Sequence, residues 1–218
     1  NVRGATQTTL LSTDSIQVSS PGTTAVSGGG NVHIQAAKAV DITAGTTVTA
    51  GQHMSVMAGT TLNLQATSGT TATNGQKVSL SATGNMLLSG NSVTATGSNL
   101  SAGQDLSIEA NDGNANLHAL SNAGGTSVDK VNLSAGKDLN VSVFKGSLYA
   151  TGLQATGQNI NLVSNGTTSV ANATIRNGSN TQAVASTLTA REDLTVGSIN
   201  ATAGASSQVQ VVASSLNA

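Results

Sequence analysis

Cysteine and tryptophan are missing from this chain of 218 residues, and phenylalanine, tyrosine and proline occur once each. Without cysteine there are no disulfides and no thiolate metal sites. Without large aromatic side chains, which usually fill much of a core of this size, the interior must be built from Val, Leu, Ile and Ala. With Pro21 the single proline, almost every backbone N–H is free to join a hydrogen-bonded ladder. Charge is scarce too. Charged residues make up 8% of the chain, where an ordinary soluble domain carries about 25%, and the net charge is −1. A surface with neither a basic patch nor stacking aromatics disfavours nucleic acid as a partner. No run of 18 apolar residues is present, so no helix of this sequence spans a membrane. The sequence opens at Asn1 without a charged and apolar leader, which reads as a segment of a longer exported chain.

What fills the space is small and polar. Ser, Thr, Asn and Gly account for 104 of the 218 residues, beside an apolar fraction of 37%. That apolar content and the low charge are the opposite of a disordered composition. Thr and Val favour strands, while Ser, Asn and Gly favour turns. The mixture predicts an all-β chain of many short strands and many corners.

The strands announce themselves by repetition. "NLSAGQDLSIEA" occupies Asn99 to Ala110 and "NLSAGKDLNVSV" occupies Asn132 to Val143, at an offset of 33. Looser copies are "GGGNVHIQA" and "AAKAVDITA" between Gly28 and Ala44, "AGQHMSVMA" from Ala50, "AGTTLNLQA" from Ala58, "NGQKVSLSA" from Asn74, "TGQNINLVS" from Thr156 and "LTAREDLTV" from Leu188. In the last, Arg191 takes the place of the glycine. Aliphatic residues two apart, such as Leu106 and Ile108 or Leu139 and Val141, point to one face of a strand. Ser107, Glu109 and Asn140 then point to the other. Gly103 and Gly136 precede these strands, where a corner needs either a positive φ or a close approach of backbone.

One such strand cannot bury its apolar face alone, whereas stacked copies bury a continuous aliphatic column. The glycines at 51, 75, 103, 136 and 157 are spaced by 24, 28, 33 and 21 residues. At roughly 21 residues per coil and about 4.8 Å per strand, the chain makes about ten coils and a rod about 50 Å long. No linker or change of composition divides it, so residues 1–218 read as a single β-helical segment.

"AGQDLSIEA", "AGKDLNVSV" and "AGTTLNLQA" resemble the filamentous haemagglutinin repeats of two-partner-secreted bacterial exoproteins, which include adhesins and the stalks of contact-dependent growth-inhibition effectors. The resemblance runs from Gly28 to Ala110 and from Val131 to Val196. It implies a right-handed parallel β-helix (a β-solenoid rod), export through an outer-membrane secretion partner, and a place at the bacterial cell surface or outside it. Arg191 and the stretch "SVFKGSLYATGL" from Ser142 to Leu153 depart from the repeat.

Chemistry-bearing residues are few. Parallel β-helices can host polysaccharide-cleaving enzymes, so the carboxylates matter. Asp105 and Glu109 stand roughly 13 Å apart along a strand, too far for the ~5–9.5 Å of paired glycosidase carboxylates. Asp105, Asp138 and Asp193 recur at one place in three phrases, as residues leading into a strand do. His33, His53 and His118 form no ligand-spaced cluster and read as surface residues. "SGGGNV" at Ser27 to Val32 lacks the Asp of calcium-binding repeats. No catalytic residue, cofactor or metal is therefore expected. The sequons at Asn99, Asn132, Asn165, Asn172, Asn177 and Asn200 follow from composition. Phe144, Lys145 and Tyr149 are the one candidate contact patch. Alternation from Val141 and Val143 turns Phe144 outward, where it either covers a break in the stack or meets a glycan or protein.

The leading reading is a monomeric, non-enzymatic shaft that displays adhesive or toxin modules, with a host glycan or cell-surface receptor as possible contact. The alternatives are a trimeric β-prism spike, suggested by the eight-residue spacing of Val32, Val40 and Val48 and of Met54 and Leu62, and a β-helical enzyme on polysaccharides.

Overall fold

In the computed structural model the backbone is described for residues 1–218 except 21, 44, 68–75, 122–127, 172, 178–184, 197–198, 203–207 and 218, and the side chains through residue 171 apart from those at 121 and 128 and within the gaps. Among the described residues every regular element is a strand. The first coil consists of Val2–Gly4, Gln7–Ser12 and Ile16–Ser19, and the second of Thr24–Gly28, Asn31–Ala36 and Val40–Thr43. Each coil thus contributes one strand to each of three faces. Along a face every strand pairs in parallel with its counterparts one coil before and after, and nine strands line the first face. Two long strands, Ala185–Val196 and Gln208–Asn217, pair with each other and each runs from the second face to the third. The protein is a parallel β-helix.

Inward residues make the columns that the sequence pattern requires. Leu80, Leu100 and Leu133 stack on the first face. On the second, Met86, Leu106, Leu139 and Ile160 form one column and Leu88, Ile108, Val141 and Leu162 the next. Leu106, Ile108, Leu139 and Val141 are fully buried, while Ser107, Glu109 and Asn140 lie on the partly exposed outer side. The two copies of the long phrase lie directly on one another, with Asn99 against Asn132, Ser101 against Ser134 and Leu106 against Leu139. Repetition places like on like. An aliphatic column needs neighbours of similar shape at each strand spacing, and a repeated phrase supplies them.

The structure corrects the count and the register. The described residues make nine coils rather than ten, and eight steps at about 4.8 Å give a length of roughly 40 Å. Val32, Val40 and Val48 lie on the second, third and first faces. Their eight-residue spacing is one side of a triangular coil, and needs no β-prism to explain it. "AGTTLNLQA" opens a third-face strand, Thr61–Gln65, and not a copy of the corner at Gly51. Arg191 and Asp193 fall inside the strand Ala185–Val196, so that phrase does not share the corner of Gly103 and Gly136 either. Gly75 lies outside the described residues.

Two corners use glycine for different reasons. Between the first and second faces, a Cβ on Gly51 would stand 2.0 Å from the carbonyl oxygen of Gly29. One on Gly103 would stand 2.1 Å from that of Thr83, and one on Gly136 2.1 Å from that of Gly103. None of these glycines has a positive φ; they are needed because successive corners approach too closely for a side chain. Between the third and first faces stand Gly22, Gly45, Gly97 and Gly152, with φ of 74°, 70°, 54° and 65°, a turn that β-carbons oppose. Buried hydroxyls close two of these turns. Thr46 Oγ1 accepts from the Ser20 N–H and donates to the Thr43 carbonyl, and Ser98 Oγ donates to the carbonyls of Leu64 and Thr96.

The same third corner carries two insertions. One leaves after Thr61–Gln65 and returns through a bridge between Thr67 and Gln76. The other is a short antiparallel hairpin, Leu120–Ser121 with Val128–Asp129. The hairpin explains the 33-residue offset, which is one coil plus an arm. Gly97 sits between the two bases, its missing Cβ leaving room for Ala66, Leu120 and Asp129 at 3.1–3.4 Å. Lys77 of the first arm reaches Asp129 of the second at 3.4 Å.

Candidate functional site

The polar side chains of the shaft are organised along its axis. At the corner leading into the second face, Asn31, His53, Asn85, Asp105 and Asp138 occupy one position in successive coils. Asn31 Oδ1 accepts from the His53 N–H at 3.1 Å, and His53 Nδ1 accepts from the Asn85 N–H at 3.0 Å. Asn85 Oδ1 accepts from the Asp105 N–H at 3.2 Å, and Asp105 Oδ1 from the Asp138 N–H at 3.3 Å. Asp138 Oδ1 then accepts from Asn159 Nδ2 at 2.7 Å. Each side chain therefore satisfies a donor of the coil above it, which a corner without side chains would leave to solvent. Outer-face amides repeat the device. Asn63 donates to Asp41, Asn132 to Asn99 and Asn161 to Asn140, at 2.6, 2.6 and 2.8 Å.

This ladder gives Asp105 and Asp138 structural work, as their repeated position suggested. Glu109 points outward from its strand, two residues on from Ser107. His53 is exposed, as the sequence reading expected, and is also a rung of the ladder, which sequence reasoning missed. Its signal was present, since His53 stands where the neighbouring phrases carry Asn85 and Asp105. His33 faces outward with Nε2 3.1 Å from Gln35 Oε1, and His118 lies on the outer side of the third face. Among the described residues, no three His, Asp or Glu side chains converge as a metal site would require.

The stretch from Ser142 to Leu153 is no break in the stack. Asp138–Val143 continues the second face, a four-residue corner follows, and Leu148–Thr151 continues the third. Phe144 stands on that corner and is 50% exposed, with Val143 buried beside it. Lys145 Nζ meets Asp112 Oδ1 of the coil before at 2.6 Å, and Lys38 pairs with Asp14 at the same corner of the first two coils. Both pairs are solvent-exposed and contribute little to stability. Tyr149 lies on the strand itself, on the flat outer face, between Asn116 and Ser169. The three residues of the sequence-derived patch therefore divide between a corner, Phe144 and Lys145, and a face, Tyr149.

Charges are sparse on the faces, with Glu109 on the second and Asp41 on the third. From Thr24 to Gly157 the outer rows of the first face carry no ionisable side chain, and Ser27, Thr49, Ser81, Ser101, Ser134 and Thr156 follow one another in a single row of hydroxyls. The family model described as hemagglutinin repeat matches residues 6–173. No curated protein and no solved structure matches the chain.

Proposed function

Because the chain belongs to the hemagglutinin repeat family, we propose that it is the shaft of an exported surface filament, carrying adhesive or toxin-delivery modules away from the cell. An outer-membrane partner would export the full-length protein. The observation that carries this reading is the direct superposition of coil on coil. From the third coil to the seventh, each described second-face strand presents its donors, acceptors and aliphatic columns to the next without a register shift. Such a structure has length as its adjustable property, since each coil adds the same step and depends only on its neighbours. The first face, without an ionisable side chain from Thr24 to Gly157, gives charged partners little to hold. Among the described residues the carboxylates are rungs of the axial ladder, partners of outer-face amides or lysines, or stand singly, which supports a structural role over a catalytic one.

Reach is the quantity to test. The coil Ser79–Ser98 can be duplicated in frame, because Ser79 and Asn99 occupy equivalent positions. Three extra copies in the full-length exoprotein should leave export intact and move a distal epitope outward by roughly 15 Å, at about 4.8 Å per coil. An epitope that stays at its original height in an exported, folded protein would overturn the shaft reading.

A further inference from the structure

The most unusual surface of the shaft surrounds Tyr149. On the third face the strands Ala115–His118, Leu148–Thr151 and Thr168–Ala171 lie side by side in register. Their inward residues, among them Leu117, Leu148, Ala150 and Val170, are buried. Outward stand Asn116, Tyr149 and Ser169 in one row, with His118 and Thr151 in the next. Nothing in the packing calls for a tyrosine there. In the earlier coils Asn63 and Thr94 fill the same row, and the ring adds nothing to the columns inside. It is 36% exposed, a flat apolar plate with a polar tip set among amide, imidazole and hydroxyl groups.

From this juxtaposition we infer that the outer third face around Tyr149 binds a neutral, extended oligosaccharide lying along the axis of the shaft. A pyranose ring offers an apolar C–H face to lie on the tyrosine and equatorial hydroxyls for Asn116, Ser169 and Thr151. These side chains both donate and accept, as sugar hydroxyls do. Successive rungs recur at about 4.8 Å, so an extended chain of sugars meets a hydrogen-bonding group at every step. Charge decides against an anionic ligand. Lys145, on the adjoining corner, is already bound to Asp112 at 2.6 Å. A protein partner is disfavoured by the lack of an apolar centre, because interface cores are built from clustered aromatic and aliphatic residues. This inference concerns one face and does not depend on the shaft reading.

The chain reports on the site directly, since Tyr149 is its single tyrosine and it has no tryptophan. Cellotetraose or chitotetraose should change the Tyr149 emission saturably, with half-saturation near about 1 mM, a weak single-site affinity. Calorimetry should show binding at least tenfold weaker for Tyr149→Ala and nearly unchanged for Tyr149→Phe and Lys145→Ala, all with unaltered circular dichroism. Three results would overturn the inference: no saturable signal from either tetrasaccharide at about 10 mM, undiminished binding by Tyr149→Ala, or binding confined to a heparin tetrasaccharide and abolished by Lys145→Ala. The last would assign the contact to the charged corner. Coil duplication reads reach and not saccharide, so failure here leaves the shaft reading standing.

Discussion

A lysine at position 106 should unfold the protein, and a lysine at position 107 should hardly be noticed. Leu106 is fully buried between Met86 and Leu139 in the second-face column. Among the described residues no carboxylate is buried in that interior to pair with a cation, and an uncompensated buried charge costs about 3–5 kcal/mol. Total stability of a protein is only about 5–15 kcal/mol, so Leu106→Lys should lower the urea midpoint drastically or leave no folded chain. Ser107 points the other way, and a long cationic side chain there extends into solvent on the side of Asp105 and Glu109. Ser107→Lys should shift stability by less than about 0.5 kcal/mol, like most surface changes. Equal losses for the two variants, read from urea melts of both, would mean that the alternation is not as described.

The two kinds of glycine corner predict opposite responses to asparagine. Gly22 has φ of 74° and nothing within 4 Å of the place a Cβ would occupy. Its cost on substitution is conformational, about 1–2 kcal/mol for alanine, and asparagine, which visits the left-handed region, relieves part of it. Gly136 is the reverse case. Its φ is not positive, yet a Cβ would meet the Gly103 carbonyl oxygen at 2.1 Å. No choice of side chain relieves that collision; the coils must move apart, as in an overpacked core that loses about 1–3 kcal/mol or more. Gly22→Asn should therefore be milder than Gly22→Ala, while Gly136→Asn and Gly136→Ala should be equally damaging. Thermal melts of the four variants separate the mechanisms.

These corners also show what the sequence made legible. Alternation at Leu106, Ile108, Leu139 and Val141 was enough to orient the strands, because period two has a single solution when one side is buried. The identity of two phrases was enough to predict stacking. Coil register was not readable from glycines, since three different corners use Gly-x-x-aliphatic strings and the phrase does not say which corner it opens. The faces of Gly59 and Gly103 are told apart only by which strands they pair with. The two arms were hidden for another reason. Their Thr-, Ser- and Gly-rich runs after Thr67 and Ser121 look like every other corner in a chain of this composition, and only the 33-residue offset betrayed one of them. The sequence reading grouped Tyr149 with Phe144 and Lys145; their division between a face and a corner required knowing where the corner ends.

Native-state hydrogen exchange on the 218-residue chain tests the central claim most directly. If each coil is held mainly by its two neighbours, opening begins at the ends, where strand edges are unpaired. Amides of Leu10 and Leu11 in the first coil, and of Val211 and Leu216 near the other terminus, should exchange fastest. Protection should rise toward the middle and be greatest across Leu80 to Val143, without a dip from Phe144 to Leu153, where the stack continues unbroken. Uniform protection along the whole chain, lost in one step, would contradict a stack of coils and indicate a single cooperative unit.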